Sequence, residues 1–489
     1  MKNLSMVLII TLACLTLLSG CISEESEKNQ TTKGTTSSIL PFYYGDYLNS
    51  GLYGLMNIDG EILEEPAYTG YYWLADGEQI YGLVLTDTNE GKCCYLSCDG
   101  SVRTGFDFES INYEHNGLAT VRSIDDNEYT MQLMDLKTGQ YILQNDYHMV
   151  EFLSPQLFIG RPVTDAGKAQ DNHSYLYNLK EETLAVLPEN IYSLTLNKYD
   201  MINDENIYGI LGNFIPDSDQ MCIAFVDKEG KIVILPEYAF CSDFNRGQTI
   251  ANSGAKVVLL NTAGESLKTW PYDDAYGNLY DNYLMIQYNK QDESGMYMNT
   301  VHIYARDENF TLLASYEGAD YCAEEDGYAV IRCSTNSAGQ DDYNFYLLNN
   351  QGKEIAWPFA EDDDLVEVNY LGDNLWQLYG YDYSKVYLYH FDIGKEGKAE
   401  QIKMPVSVIG FMNVSSGSSN RLIASCLIND QVMYCLMDDN GQEFINYCTM
   451  LDPIPDGSAY WVQRGNYSGY IDQEGKWLYK MSNFGVLID

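Results

Sequence analysis

From residue 39 onward, apolar positions recur in short runs with a period of two rather than at helical spacing. Runs rich in Val, Ile, Leu and Tyr are separated by Asp, Asn and Gly, as in the segments MNIDGEIL and LNNQGKEI. Alternation of this kind predicts strands, and a turn residue pair with Gly between two such runs predicts a β-hairpin. The pattern therefore predicts an all-β protein built from hairpins.

The hairpins recur eleven times, about 42 residues apart, which is the spacing of an internal repeat. Three of them are degenerate, in the segments YNLKEETL, RDENFTLL and FDIGKEGKAEQI. The other eight turn at or next to Gly60, Gly100, Gly139, Gly230, Gly264, Gly352, Gly441 and Gly475.

A unit of three or four short strands cannot bury its own apolar face, so neighbouring units must stack. Units of this size suit the blades of a β-propeller, although rings normally hold about 4–8 blades. We predict β-propeller-like tandem repeats. Two smaller propellers, one incompletely closed large ring and an open β-solenoid remain as alternatives.

The units also share a sequence resemblance. Gly469-Tyr470-Ile471-Asp472 followed by Gly475-Lys476, and Pro236 with Tyr238, are similar to the WG-repeat family of bacterial surface and secreted proteins. Tyr272-Asp273-Asp274 and the stretch from Phe108 to Ala119 match the same repeat. The Trp-Gly pair itself is missing, since Ser468 precedes Gly469. The resemblance implies a repeat scaffold and no established catalytic residues.

The N-terminus carries a different signal. Lys2 precedes an apolar run from Leu4 to Leu18, which is too short to span a bilayer but suits a secretory signal. Leu18-Ser19-Gly20-Cys21 resembles the lipobox of bacterial lipoproteins, which implies cleavage between Gly20 and Cys21 and lipid, including palmitate, on Cys21. An ordinary signal peptide that contains a cysteine is the alternative.

These features predict three segments. Residues 1–20 are a lipoprotein signal peptide, 21–38 a lipidated disordered tether, and 39–489 a WG-like β-repeat ectodomain. The polar stretch 289–300 is a candidate sub-boundary. The predicted location is the bacterial cell membrane, anchored by lipid and facing outside the cytoplasm.

Charge restricts the partners. The chain has 28 basic and 71 acidic residues and a net charge of −43, which disfavours nucleic acid and anionic lipid as partners. We interpret the acidic residues as a solvated exterior, with the collection of Ca²⁺ or cationic ligands as the alternative. Apart from Cys14 and Cys21, ten cysteines remain, and an even number in an exported protein permits disulfides. The run KCCYLSC lacks the paired spacing of a zinc module, and Cys93 and Cys94 on one strand would face opposite sides.

No catalytic motif stands out. The five histidines, His115, His148, His173, His302 and His390, have no ligand spacing. A propeller hydrolase with two carboxylates is the enzymatic alternative, but no pair can be nominated. We therefore predict a protein that is not an enzyme.

No cofactor is predicted, and Ca²⁺ is the one ion that the sequence leaves open. Asp87, Asn89 and Glu90, and again Asp438, Asp439 and Asn440, place oxygen ligands on tight turns. Plain hairpin turns require the same residues, which we take as their role. The acidic run from Glu361 to Asp364 is interpreted as a solvated loop.

Tyrosine is the last anomaly, with 43 residues. Its ring packs while its hydroxyl reaches water or a partner, so Tyr-rich strands can form ligand-binding surfaces. We predict a non-catalytic ectodomain that binds an envelope protein or a glycan. An exposed groove with Trp73, Trp270, Trp376 and Trp461 would favour a glycan, and a passive structural component of the envelope is a further alternative.

Overall fold

The predicted strands form a regular series in the computed structural model. It describes residues 38–482 except for gaps at 45–50, 78, 126–127, 164–172, 188–206, 213–220, 228, 230, 243, 254–255, 273–274, 292–296, 326, 335–342, 360–364, 373, 381–385, 394–396, 405–407, 414–420 and 430. The predicted signal peptide, nearly all of the tether, Gly20 and Cys21 lie outside the described residues. So do Asp273, Asp274 and the acidic run from Glu361 to Asp364.

The described residues form forty strands, grouped below into repeat units. Unit 1 holds β1 (Ile39–Tyr44), β2 (Leu52–Asn57) and the first half of β3 (Ile62–Asp76). Unit 2 holds the second half of β3, β4 (Gln79–Asp87) and β5 (Cys93–Ser97). Unit 3 holds β6 (Phe108–His115), β7 (Leu118–Asp125), β8 (Glu128–Asp135) and β9 (Gln140–Tyr141). Unit 4 holds β10 (Tyr147–Ser154), β11 (Leu157–Pro162), β12 (Ser174–Asn178) and β13 (Thr183–Leu187).

The next four units follow the same plan. Unit 5 holds β14 (Ile207–Gly212), β15 (Cys222–Asp227) and β16 (Ile232–Tyr238). Unit 6 holds β17 (Phe240–Cys241), β18 (Gln248–Asn252), β19 (Val257–Asn261) and β20 (Ser266–Trp270). Unit 7 holds β21 (Tyr276–Leu279), β22 (Tyr283–Gln291), β23 (Tyr297–Ala305) and β24 (Leu312–Glu317). Unit 8 holds β25 (Ala319–Glu325), β26 (Tyr328–Ser334), β27 (Tyr343–Leu348) and β28 (Glu354–Ile355).

Three units complete the series. Unit 9 holds β29 (Leu365–Gly372), β30 (Leu375–Gly380), β31 (Val386–His390) and β32 (Glu400–Gln401). Unit 10 holds β33 (Val408–Asn413), β34 (Arg421–Ile428), β35 (Gln431–Asp438) and β36 (Glu443–Cys448). Unit 11 holds β37 (Met450–Pro453), β38 (Ala459–Arg464), β39 (Tyr467–Asp472) and β40 (Trp477–Ser482).

Each unit is an antiparallel sheet in which strands that follow each other in the chain pair with each other. Units 5 to 11 are separate sheets, while units 1 to 4 share one 13-stranded sheet. Inside that sheet, the long strand β3 connects units 1 and 2. Units 2 and 3 are joined by the single residue pair Cys93–Phe108, and units 3 and 4 by the single pair Tyr147–Met131. The all-β prediction and the repeat are thus confirmed. No helix in the described part of the chain is long and apolar enough to cross a membrane.

A recurring side-chain cap explains the turn before the last strand of a unit. In unit 11, Asp472 Oδ1 accepts the backbone N–H groups of Glu474 and Lys476 at 3.1 and 2.8 Å. Asn349 makes the same two bonds in unit 8, to Gln351 and Lys353. Asp and Asn favour such turns because their short side chains bond to the backbone two residues on. The Asp/Asn–x–x–Gly pattern therefore sets the hairpin.

Burial differs between the central strands and the last strand of a unit. In unit 11, β38 is buried over five successive residues, whereas β40 alternates between buried and exposed positions. Central strands are buried on both faces because sheets pack on either side of them, while the last strand forms an edge. Apolar residues on both faces of the central strands supply the surfaces by which units stack.

Eleven clusters of buried apolar side chains hold the units together in the described residues, and ten of them join two consecutive units. The cluster between units 9 and 10, for example, packs Leu375 and Leu388 against Val408, Leu422 and Ala424. The series is continuous from unit 1 to unit 11.

One of these clusters joins the last unit to the first. Phe42 and Met56 of unit 1 pack with Trp461 and Tyr470 of unit 11. In addition, the Tyr470 hydroxyl donates a hydrogen bond to the backbone oxygen of Pro41 at 2.6 Å. The apolar faces that an open array would leave bare at its two ends thus bury each other. The described units form one closed ring, and not an open solenoid, an incompletely closed ring or two separate propellers.

The polar stretch 289–300 lies inside unit 7. Strands β22 and β23 pair across it, with Asn289 opposite Asn299 and Lys290 opposite Met298. Buried clusters continue on both sides of this unit, toward unit 6 and toward unit 8.

Candidate binding site on the inner strands

The first strand of each unit faces the axis of the ring. First strands of neighbouring units contact each other, as β25 does with β29 and β29 with β33. The last strands are the more exposed ones, as in β20 and β32. Since the edges of the sheets converge only toward the axis, we call these first strands the inner strands: the second half of β3, β6, β10, β17, β21, β25, β29, β33 and β37. Strands β1 and β14 are not counted among them, because they pair directly with β2 and β15, the strands that enter the hairpin turns of units 1 and 5.

The inner strands carry charge of one sign. None of these described strands contains Lys or Arg. The second strands of the units, in contrast, include basic residues such as Arg122, Arg332 and Arg421. The carboxylates on the inner strands whose side chains the structure describes are Asp76, Glu109, Glu114, Glu151, Glu367 and Asp452. Arg122 of β7 forms an ion pair with Glu109 at 2.9 Å, and the other inner carboxylates give the axis side of the ring an acidic character that favours a cationic ligand.

Tyrosine hydroxyls tie neighbouring inner strands together. The Tyr113 hydroxyl donates to Asp76 Oδ2 at 2.8 Å, between units 3 and 2. The Tyr72 hydroxyl donates to the backbone oxygen of Ile111 at 2.6 Å, across the same junction. These hydrogen bonds hold neighbouring inner strands together. They leave part of the inner edge accessible to solvent, since 38% of the Tyr72 surface is exposed.

A chain of aromatic rings lies where the ring closes. The ring centroids of Tyr43 and Tyr53 are 5.1 Å apart, those of Tyr53 and Tyr71 are 5.0 Å apart, and those of Tyr71 and Trp73 are 6.4 Å apart. All three pairs are edge-to-face, the arrangement that ring quadrupoles favour. We call these four half-buried rings the seam aromatics. The segments PFYY and YTGYYW, which are separate in sequence, meet here.

Asp452, on the inner strand β37, lies close enough to Tyr71 to affect its ionisation. Burial raises the pKa of Asp452 above the ordinary value. Burial also raises the pKa of Tyr71, and Asp452 and Tyr53 raise it further. Tyr470 behaves likewise: burial raises its pKa first, then Tyr71 and Asp452. Asp452 therefore lies beside phenols, and a cation placed there would lower its pKa.

This combination has a defined binding chemistry. A carboxylate beside aromatic rings suits an ammonium or guanidinium group, which pairs with the charge and is attracted to the ring quadrupole. The chain itself shows the second interaction, since the Arg421 guanidinium lies 3.8 Å from the ring centroid of Phe444 and that of Arg122 lies 3.7 Å from Tyr129. The inner strands are thus best suited to Lys or Arg side chains of a partner.

A second polar cluster surrounds His302 in unit 7. Its Nδ1 is 2.9 Å from the Tyr272 hydroxyl, and its Nε2 is 3.2 Å from the Tyr288 hydroxyl. The Tyr272 and Tyr288 rings stack at 4.0 Å with 9° between their planes. Burial lowers the pKa of His302, and Lys290 lowers it further. The neutral imidazole is therefore favoured, and the cluster cross-links units 6 and 7.

The tryptophans do not form the groove that a glycan site would need. Trp270, Trp376 and Trp461 are 5%, 1% and 3% exposed, and Trp73 is half-buried. Each of the three lies in a cluster between units, because a large ring fills the space between two sheets better than any other side chain. The exposed groove with these four residues that would favour a glycan is therefore not formed by the described residues.

The turn residues considered for Ca²⁺ serve as backbone caps. Asp87 Oδ1 accepts from the backbone N–H groups of Glu90 and Lys92 at 3.0 and 3.1 Å. Asp438 Oδ1 accepts from those of Asn440 and Gln442 at 2.9 and 2.8 Å. This is the hairpin role that the sequence favoured. No group of three or more His, Cys, Asp or Glu residues in the described part of the chain is placed to hold a metal ion.

The first two cysteines of the KCCYLSC run, Cys93 and Cys94, behave as small buried side chains. Cys93 packs between units 2 and 3, whereas Cys94 packs between units 1 and 2. The prediction that the two thiols face opposite sides of the strand is confirmed.

Two polar residues, Asp452 on the inner strand β37 and His302 on β23, were not found from the sequence as parts of a cluster. Asp452 stands in the segment MLDP and His302 in VHIYA, and neither segment resembles a site motif. The only available signal for His302 is alternation, which places it on the same face of β23 as Tyr304. Asp452 had none, because its aromatic neighbours come from the other end of the chain.

Comparison with known families gives one match. A model described as WG containing repeat matches residues 224–251, which include β15 to most of β18. It supports a WG-like β-repeat in this part of the chain. A search of curated proteins gave no match.

Solved structures similar to this chain include propellers. The β-propeller domain of the Trilobed protease from Pyrococcus furiosus is 10% identical, with 75% of this chain and 95% of that chain covered and a TM-score of 0.27. The Dos1 propeller is 11% identical over 73% of this chain and 89% of that chain, with a TM-score of 0.29. The acylaminoacyl peptidase of Pyrococcus horikoshii is 12% identical, with 74% of this chain and 57% of that chain covered and a TM-score of 0.27. We draw no function from these likenesses.

Proposed function

We propose that this protein is a membrane-anchored extracytoplasmic lipoprotein whose ring binds an envelope protein through a Lys- or Arg-rich segment. The observation that carries the binding proposal is the inner edge, where carboxylates and tyrosines occur without any Lys or Arg on the described strands. The apolar run that ends at Leu18-Ser19-Gly20-Cys21 supports the anchor and the location.

A protein partner is favoured over a glycan by two features. The net charge of −43 attracts a basic surface over a long range, and a neutral glycan gains nothing from it. Glycan stacking needs exposed ring faces, but Trp270, Trp376 and Trp461 are buried. A ring of repeated units also offers many weak contacts to one extended segment, and their effects multiply.

A carboxylate-pair hydrolase is the enzymatic alternative. Such chemistry needs two carboxyl groups about 5–9 Å apart in one cleft. Asp452 raises the pKa of Tyr71, Tyr470 and Cys448, none of which is a carboxyl group, and burial is the cause of its own raised pKa. The seam aromatics therefore favour binding, and fold alone does not decide between the two classes.

The binding proposal is tested with two charge-matched triple variants of the full chain. One replaces Glu109, Glu151 and Glu367 on the inner strands by Gln. The control replaces Glu61, Glu265 and Glu474, which are exposed on outer turns, so both variants lose the same charge. Each protein is immobilised and exposed to solubilised envelope proteins and to purified wall glycans at low and high salt.

We expect saturable capture of a basic protein that weakens with salt and is lost in the inner variant alone. Capture of a glycan would contradict a protein partner, and equal capture by both variants would contradict the inner site. Failure to capture anything would favour a passive envelope component.

The anchor is tested separately. Cys21→Ala should move the protein from the membrane fraction to the soluble fraction and abolish incorporation of labelled palmitate. Cys14→Ala, within the same apolar run, serves as the control. Retention of label and membrane association in the Cys21 variant would contradict a lipid anchor.

A further inference from the structure

Two thiols lie side by side in unit 10. Cys426 on β34 and Cys435 on β35 have their Sγ atoms 3.9 Å apart. The strands are antiparallel neighbours in which Cys426 pairs with Met433 and Ala424 pairs with Cys435, so the two thiols are diagonal partners on one face. Both are buried, with 0% and 1% of their surfaces exposed.

The surroundings of the pair combine an apolar pocket with one acidic group. Both thiols belong to the cluster between units 9 and 10. Glu443 on β36 lies near them, and its Oε1 atom is buried without a hydrogen-bond partner in the described residues. Hydrogen bonding to Cys435 lowers the pKa of Cys426 against the opposing effect of burial, so Cys426 is the more acidic thiol of the pair.

Other buried cysteines differ in their contacts. Cys448 belongs to the same sheet but packs on its opposite face, toward unit 11. Its Sγ donates to the backbone oxygen of Tyr434 at 3.1 Å. Cys448 is therefore a matched control, since it shares the unit, the burial and the strand context of the pair.

We propose that Cys426 and Cys435 are oxidised to a disulfide that staples the central hairpin of unit 10 as the protein folds outside the cytoplasm. The location rests on the proposed function above, while the pairing rests on the contact alone. The thiolate of Cys426 attacks a disulfide of an oxidant, either a dithiol oxidase or a small-molecule disulfide. One thiol of the oxidant leaves, and a mixed disulfide forms.

The second step completes the balance. The thiolate of Cys435 attacks Cys426 in the mixed disulfide, the Cys426–Cys435 bond forms, and the second thiol of the oxidant leaves. The protein loses two electrons and two protons, and the oxidant gains them. Because both sulfurs are buried in the ring, the exchange occurs before units 9 and 10 pack, and the finished bond resists reductants.

The test has an in vitro arm and a cellular arm. In vitro, the full chain is refolded with either oxidised or reduced glutathione. Thiols are alkylated in denaturant, and peptides are mapped by mass spectrometry before and after reduction. In the cellular arm, cells are quenched with acid before the same mapping. Cys448→Ser is analysed in parallel.

We expect a peptide linking Cys426 to Cys435, two hydrogen atoms lighter than the thiol form, after refolding with oxidised glutathione. Cys448→Ser should give the same link, and both proteins should lose it with reduced glutathione. Protein that refolds with oxidised glutathione but has both cysteines alkylated, or linked elsewhere, would overturn the pairing.

The cellular arm separates this inference from the proposed location. A linked peptide in vitro together with free Cys426 and Cys435 in cells would uphold the pair as a disulfide-forming geometry. It would count against oxidation in the cell and against the extracytoplasmic location. A linked peptide in both arms is the result that the proposal predicts.

Discussion

His302 shows how one residue can carry a pH dependence. Burial and Lys290 lower its pKa, so the folded state favours the neutral ring more than the unfolded chain does. A depressed histidine pKa gives full stability above the ordinary value of about 6.5, and this stability is lost as the pH falls toward the folded value. We therefore expect His302→Gln to reduce the drop in melting temperature between pH 8 and pH 5.

The matched control is His390→Gln, since His390 is exposed on β31. This variant should keep the full pH dependence of the parent protein. Thermal unfolding followed by circular dichroism at several pH values gives the comparison. An equal drop in the parent and in His302→Gln would show that the Tyr272 and Tyr288 contacts do not disfavour the imidazolium.

A prediction for the last turn of unit 11 belongs to the scale of the element. Asp472→Ala removes the acceptor of two backbone N–H groups, and we expect a loss of about 1–2 kcal/mol in the free energy of unfolding. Asp472→Asn should be nearly neutral because Asn occupies the same place in other units, as Asn57 and Asn349 do. Urea unfolding measures both variants, and an equally large loss in Asp472→Asn would show that the charge matters more than the cap.

Two glycines of unit 11 allow the cost of a positive φ angle to be distinguished from the cost of a steric clash. Gly475 and Gly465 have φ angles of +76° and +59°. A Cβ at Gly475 would lie 2.4 Å from the backbone oxygen of Phe444, whereas nothing lies within 4 Å of one at Gly465. We expect Gly465→Ala to cost about 1 kcal/mol, the conformational penalty alone. Gly475→Ala should cost clearly more in the same urea experiment, and equal losses would contradict close packing of units 10 and 11.

The turns and strands of a unit could be predicted from the sequence, because the residues that determine them are close together in the chain. A turn cap such as Asp472 and its glycine lie within a few residues of each other, so the turns of the described residues could be found. The strand content of a unit follows from the same window. The role of the tryptophans was not predictable, since Trp376 and Trp461 are buried by a neighbouring unit that no local pattern identifies.

The closure of the ring is a property of the whole molecule and has no local signal. The Tyr470 hydroxyl and the Pro41 backbone oxygen are 429 residues apart in sequence. Counting repeats could suggest a large ring, yet an open array of the same units would have the same alternation and the same turns. Closure depends on whether the accumulated rotation between units brings unit 11 against unit 1. For the same reason Asp452 and the seam aromatics could not be grouped in advance.

A closed ring and an open array respond differently to damage at their first unit. In an open array the terminal unit has one neighbour and frays with little effect on the rest. In the closed ring, Phe42 is 1% exposed in the cluster between units 11 and 1, comparable to Phe152 at 0% between units 3 and 4. Phe42→Ala and Phe152→Ala should therefore each cost about 3–5 kcal/mol. Native-state hydrogen exchange after Phe42→Ala should show lost protection in both unit 1 and unit 11. Lost protection confined to unit 1, with a small change in the urea midpoint, would contradict a seam that holds the ring closed.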